Sequence, residues 1–280
     1  MEDINIKAEN VTKYFGNVVA LNRISFEIKG KRIAILGHNG SGKTTIISML
    51  LGLLKPDGGC IAINGVKSYE NHKWVENNIS FCFEKGKFPF HIKVSSFIKE
   101  LREIRGRKSL VDELVSELNI NRFENDFINE LSSGQEQILY VLSTIASQNN
   151  ILFLDEPFSH LDVFVRSKIY NYLRSSNKEF IIATQSIDEA ELLCDTYVIL
   201  NDGNLIWQGN MTELYDDKTF EVIPNPDLPD IGLNVIYTIE NRYICEGNEG
   251  EFSKLVKEHK VIGFKRAGLR KVYGKIKQDY

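Results

Sequence analysis

Gly37-His38-Asn39-Gly40-Ser41-Gly42-Lys43-Thr44 fits the pattern G-x-x-x-x-G-K-S/T. It stands where that pattern has meaning, after KRIAILG, which reads as one buried strand, and before TTIISMLLGLL, which has the length of a helix. Glycines at this spacing let successive backbone N–H groups converge on phosphate oxygens, and a helix N-terminus adds a favourable partial positive charge. Lys43 is placed to reach the outer phosphates of a nucleotide and Thr44 to offer its hydroxyl to Mg2+, with Thr45 in the same nucleotide-binding set. Strand, glycine loop and helix in this order predict an α/β fold built on a P-loop NTPase core.

Upstream, residues 3–36 alternate apolar and polar positions, as antiparallel strands do. Downstream, the turn cluster Lys55-Pro56-Asp57-Gly58-Gly59 ends the first helix, and two short strands follow near Cys60–Asn64 and Ile79–Phe83. Phe97, Leu101 and Ile104 share a helical face, Gly106 breaks it, and Leu110, Leu114 and Leu118 resume it, so a helical insertion is expected over about 90–134. From Gln135 the chain alternates helix and strand (QEQILYVLSTIASQ, ILFLD, VFVRSKIYNYLRSS, FIIAT, SIDEAELL, TYVIL), the mark of a parallel sheet with crossover helices. NDGNLIWQG reads as a closing hairpin. Pro224, Pro226 and Pro229 then suggest a linker near 216–230. The expected division is a nucleotide-binding domain over 1–215 and, over 216–280, a linker with a small C-terminal α+β unit.

Composition narrows the function classes. The chain has 280 residues and a formal charge of -4, with no global cationic field of the kind that draws nucleic acid, so none is expected as a partner. Its longest apolar run, IISMLLGLL at 46–54, is well short of the roughly 18 residues that span a bilayer. The start MEDINIK lacks a signal-peptide pattern, and a cytoplasmic location is expected. Four scattered cysteines, with no C-x-x-C pair, predict free thiols rather than a zinc site or a disulfide framework.

The apolar run Ile151–Leu154 ends in Asp155 and Glu156, as a buried strand does when it delivers acids to its C-terminal edge. Asp155 suits a water-mediated Mg2+ contact. Glu156 can take a proton from a water attacking a γ-phosphate, a reaction that asks for a positioned base more than for covalent chemistry. Between this strand and the P-loop lies Leu131-Ser132-Ser133-Gly134-Gln135, immediately before a helix.

The order P-loop, LSSGQ, LDEP and then Ser159-His160-Leu161-Asp162 resembles the ATP-binding subunits of ABC transporters, whose signature LSGGQ precedes the acidic strand by about twenty residues. The resemblance covers roughly residues 3–215. It implies ATP hydrolysis, ATP and Mg2+ as cofactors, and an adenine-stacking aromatic at Tyr14 in TKYFG. It also implies that Ser132, Ser133, Gly134, Gln135 and Asp162 touch nucleotide held by a second ATP-binding subunit, the two packed head to tail. A small-residue loop opening a helix is an anion site in its own right, and a loop on the same rigid face as its own P-loop serves a partner chain. Further partners implied are membrane-spanning permease subunits on separate chains, with this chain peripheral on the inner face of the cell membrane.

Three positions depart from the family pattern. Ser133 replaces a glycine. Glu84 stands where the family has a glutamine, and a carboxylate there can still serve the cation. Gln185 stands in the place of the switch histidine, so it can donate a hydrogen bond to phosphate but carries no charge, which implies slow turnover. The ending GLRKVYGKI resembles the last motif of ABC-2 exporters and suggests export of a drug or antimicrobial peptide. Phe88, Phe90 and Ile92 are candidate contacts for a membrane subunit. Lys265, Arg266, Arg270, Lys271, Lys275 and Lys277 form either a solvated face or a contact for anionic lipid. The alternative to transport is an ABC-type ATPase switch, or an ATP sensor with slow hydrolysis, working without a membrane.

Overall fold

Two long strands, β1 (Ile4–Phe15) and β2 (Val18–Gly30), pair antiparallel from Ile4↔Gly30 to Phe15↔Val18 across a turn at Gly16 and Asn17. β2 buries nearly every second residue, the period of a half-buried strand. β3 (Arg32–Leu36) follows and runs into the glycine loop, then α1 (Lys43–Leu50), then β4 (Gly58–Ile63), which pairs antiparallel on the other side of β1. The computed structural model describes residues 3–84, 88, 91–104, 108–228 and 232–278.

A second sheet carries the site. After α2 (His72–Asn78) come β5 (Ile79–Cys82), the helices α3 (Val94–Ile104), α4 (Lys108–Glu117) and α5 (Ser133–Ile145), and then β6 (Ile151–Asp155). α6 (Val163–Ser175), β7 (Glu179–Thr184), α7 (Ile187–Leu193), β8 (Thr196–Asn201) and β9 (Asn204–Asn210) complete the set. The sheet order is β5-β6-β7-β3-β8-β9, parallel from β5 to β8. β6, β7 and β8 are buried at every residue, which is why they read as apolar runs rather than alternations. Asp202 and Gly203, with φ of 46° and 75°, make the two-residue turn between β8 and β9. This order brings the C-terminal ends of β3, β6 and β7 side by side, and those ends carry the glycine loop, the two acids and Gln185.

The insertion is helical at α3 and α4; its expected break at Gly106 lies outside the described residues, as does Phe90. Phe88 stacks on Tyr140 with ring centroids 4.1 Å apart and meets Phe97 edge-on at 5.1 Å, so it packs the insertion onto α5. Among the described residues no helix is long and apolar enough to cross a membrane. All four cysteines are free thiols.

The chain divides after Gln208, with Gly209–Tyr280 as a second unit. That unit holds α8 (Met211–Leu214), β10 (Thr219–Pro224), β11 (Val235–Ile239), β12 (Arg242–Glu246), α9 (Glu249–Lys257), β13 (Val261–Arg266) and α10 (Leu269–Gln278). Its antiparallel sheet has the order β11-β12-β10-β13. The expected linker at 216–230 is corrected here, since Thr219–Pro224 is an interior strand of that sheet. Pro224 sits at the strand's last position, where the ladder already shifts register, so its missing N–H interrupts little. Phe220 packs with Phe252 and Phe264 at centroid distances of 4.9 and 5.9 Å. Fully buried Glu221 is held by Arg242 at 2.8 Å and by Arg270 and Lys265 at 3.5 Å each. The basic tail is thus largely paired within its own unit: Arg266 also meets Asp217, Lys271 meets Asp216, and Arg270 meets Glu240.

Candidate functional site at the end of the parallel sheet

The glycine loop leaves β3 at Gly37 and enters α1 through Gly42, whose φ of 105° is open to glycine and costly for other residues. A Cβ at Gly42 would also lie 2.7 Å from Leu21 Cδ2 and 2.9 Å from the Ala20 carbonyl. The loop is buttressed from outside, because Gly203 N donates to Ser41 O at 3.1 Å and His38 Nε2 lies 3.2 Å from Asp202 Oδ1. His38 therefore faces the β8–β9 turn. A cavity of about 500 Å³ opens at the N-terminus of α1, lined by Phe15, Ala20, Asn39, Gly40, Gly42, Lys43, Thr44, Thr45, Glu84 and Glu156.

Lys43 is buried and donates to the carbonyls of Gly37 at 2.8 Å and His38 at 3.2 Å, with Glu156 Oε1 3.4 Å away. Thr44 Oγ1 donates to Asp155 Oδ2 at 2.9 Å. The other Asp155 oxygen, Oδ1, is buried without a hydrogen-bond partner, and so is Glu156 Oε1. Burial pushes the pKa of both carboxyls up; Thr44 and Lys43 pull Asp155 back, and Lys43 pulls Glu156 back. Glu156 has a φ of 45°, and its N–H is held by the Ala183 carbonyl of β7 at 2.8 Å. A hydroxyl, an unsatisfied carboxylate oxygen and a second acid at Glu84 form the oxygen-rich donor set that suits Mg2+. Ser41 Oγ is a further buried atom without a partner, beside the same helix start.

Tyr14, expected at the adenine, is corrected by its placement. It lines a separate cavity of about 480 Å³ with Asn10, Thr12, Arg23, Asp57 and Gly58. Neighbouring residues of a strand project to opposite faces, so Phe15 is the aromatic that lines the glycine-loop cavity. Phe15 was missed; its signal was its position directly before the Gly16 turn.

Gln185 is exposed in the short loop between β7 and α7, at the sheet edge that bears Glu156, and is not among the residues lining the cavity. Nor are Ser132, Ser133, Gly134, Gln135 and Asp162. Ser132 caps α5 in a reciprocal box with Gln135: Gln135 N donates to Ser132 Oγ at 3.3 Å, and Ser132 N donates to Gln135 Oε1 at 2.9 Å. Gly134 packs where a Cβ would stand 2.7 Å from the His160 carbonyl, so the start of α5 and the SHLD loop touch backbone to backbone. Asp162 caps α6, accepting from Phe164 N at 2.8 Å and Val165 N at 3.0 Å.

With this geometry in hand, the similarities are specific. Residues 21–159 match the family described as ABC transporter. The chain is 33% identical over 232 residues to the probable sulfate/thiosulfate import ATP-binding protein CysA of Chlorella vulgaris, across 79% of this chain and 98% of that protein. It is 31% identical over 225 residues to the spermidine/putrescine import ATP-binding protein PotA of Acetivibrio thermocellus, covering 77% of this chain and 64% of that protein. A post-hydrolysis dimer of an ATP-binding cassette with ADP and Pi superposes with a TM-score of 0.62 at 25% identity, over 73% of this chain and 98% of that one. The chain belongs to the ABC transporter family, as an ATP-binding domain of that family.

Proposed function

We propose that this chain is the ATP-hydrolysing motor of a membrane transporter. The observation that carries the reading is that Lys43, Thr44 and Glu156 line one cavity at a helix N-terminus, with Asp155 bonded to Thr44 behind it and the buried Asp155 Oδ1 left without a hydrogen-bond partner. Phe15 stacks on adenine, the loop N–H groups and Lys43 hold the β- and γ-phosphates, and Thr44, Asp155 and Glu84 hold Mg2+. Bound there, Mg2+ supplies charge neutralisation to the phosphates. Glu156 accepts a proton from the attacking water while the water oxygen bonds to the γ-phosphorus and the bond to the β–γ bridging oxygen breaks, releasing ADP. Burial, which raises the Glu156 pKa, makes it the stronger base. Gln185 donates a neutral hydrogen bond toward the γ-phosphate.

A second copy or a related chain completes the site. The start of α5 offers Ser132, Ser133, Gly134 and Gln135 away from the chain's own cavity, which supports a head-to-tail dimer with two nucleotides. In this reading Asp162 acts through the loop that it caps. Permease subunits on separate chains receive the motion at the cytoplasmic face of the membrane. In Glu156→Gln, MgATP then traps the closed dimer; a variant that stays monomeric at saturating ATP, alone and with its membrane partner, refutes the shared site.

For direction, the ending GLRKVYGKI favours export of a drug or antimicrobial peptide. Import is the second reading, favoured by the similarity to the sulfate/thiosulfate and spermidine/putrescine import ATP-binding proteins. Inside-out vesicles carrying the chain and its permease decide between them: ATP-driven accumulation of a peptide supports export, and ATP-driven loss of preloaded sulfate or spermidine supports import.

A further inference from the structure

Ser186-Ile187-Asp188-Glu189 spells a capping box, in which the glutamate at the third helical position returns to the backbone N–H of the capping serine. The structure departs from that pattern. Ser186 caps α7 as expected, accepting from Glu189 N at 3.3 Å, but its own N–H goes to Thr184 Oγ1 at 3.0 Å. The Thr184 hydroxyl then donates to Glu189 Oε2 at 2.6 Å, so the carboxylate turns inward and is buried. There it meets the Tyr170 hydroxyl, and its Oε1 lies 3.8 Å from Arg166 Nη1. Both partners belong to α6.

Arg166 is shared. Its Nε donates to the Leu161 carbonyl at 3.1 Å, one residue before the Asp162 cap. At the other end of that loop, Ser159 N and Oγ donate to the Glu156 carbonyl at 3.2 and 2.9 Å. A continuous polar chain thus runs from both flanks of Gln185, through Glu189 and Arg166, into the Ser159–Asp162 loop and back to Glu156. Helix capping alone does not require it, and a buried carboxylate carries a desolvation cost that an apolar residue would avoid.

We infer that Glu189 and Arg166 form a brace that holds the Thr184–Ser186 segment in register with the Ser159–Asp162 loop, which makes them positioning residues for hydrolysis. The inference rests on the hydrolytic reading above. Neither residue lines the nucleotide cavity, so nucleotide affinity is spared while the geometry around Glu156 and Gln185 loosens.

The test uses the full chain with its membrane partner and the variants Glu189→Gln, Arg166→Gln, their double, Thr184→Ser and Thr184→Val. Arg166 is 39% exposed, so its replacement leaves the core intact. Each of the first two variants should lower kcat about tenfold with KM within about twofold. The double should be no slower than either single, because the two act through one contact. Thr184→Ser should keep the parent rate and Thr184→Val should lose it. Unchanged kcat in the Gln variants, or a hundredfold loss in the double, overturns the brace. Amide exchange on the chain alone separates this inference from its parent: Arg166→Gln should speed exchange severalfold at Ser186 as well as at Phe164 and Val165. Exchange that rises only in α6 overturns the brace whatever the ATPase rate. Coupled exchange in a chain that hydrolyses no ATP overturns the parent reading instead.

Discussion

Lys43→Met keeps the bulk of the lysine stem and removes its charge, and the structure assigns that change a cost in stability as well as in nucleotide binding. The ammonium lies 3.4 Å from Glu156 Oε1, with the two side chains 6% and 13% exposed. At an effective dielectric near 20, attraction at that distance is about 5 kcal/mol before desolvation is subtracted. Losing one partner of a buried pair costs about 3 to 5 kcal/mol, and partial exposure of Glu156 puts the expected loss at about 3 kcal/mol. Burial raises the Glu156 pKa and Lys43 opposes that rise, so in the variant the pKa moves further up. A carboxyl whose folded pKa exceeds its unfolded value binds protons more tightly when folded. Its penalty is therefore absent below the unfolded value, near 4.3, grows as pH rises and is complete above the folded pKa. Urea unfolding should show the full deficit at pH 8 and a smaller one at pH 5. Adding Glu156→Gln, which removes the stranded charge, should recover most of the deficit at pH 8. A deficit equal at both pH values, or a double variant no more stable than Lys43→Met, refutes this electrostatic account.

Phe15→Ala should weaken ATP binding roughly 5- to 150-fold, the equivalent of about 1 to 3 kcal/mol of base stacking, while Tyr14→Ala stays within about twofold; a fluorescent-nucleotide titration with the opposite order would restore Tyr14. Gly134→Ala drives a Cβ toward the His160 carbonyl, 2.7 Å away, at a cost of about 1 to 3 kcal/mol. It should lower turnover with ATP affinity nearly unchanged, and parent turnover would show that the contact tolerates a methyl group. Gln185→His should raise turnover and Gln185→Ala should lower it at constant ATP affinity; three equal rates in steady-state assays would make Gln185 a strand-end residue only.

The glycine loop and the acidic strand end were legible because their chemistry is local: a loop pattern between strand and helix, and an apolar run ending in two acids. Buried parallel strands declare themselves the same way. What was hidden depends on contacts made at long range or on phase. Tyr14 and Phe15 are adjacent aromatics, and β1 shifts register between Val11 and Tyr14, so counting alternation along the strand loses its phase there. The prolines at 224, 226 and 229 mask β10, and its buried Glu221 is compensated only by distant cations, Arg242, Lys265 and Arg270. Likewise the tail's basic run has no acid within it, because its acids stand 44 or more residues upstream in Asp216, Asp217 and Glu221 and 30 upstream in Glu240. Glu189 carries no signal of its own in the helix SIDEAELL, and its bond to Thr184 and pairing with Arg166 of α6 emerge only in the fold.

In the proposed mechanism Glu156 activates water against a nucleotide held by the loop at 37–44. Parallel measurements of ATP binding and steady-state phosphate release, on the parent chain and Glu156→Gln with the membrane partner present, test it most directly. The parent should release phosphate, and the variant should bind ATP as tightly yet lose about a hundredfold or more in turnover. A variant that releases phosphate at the parent rate contradicts it.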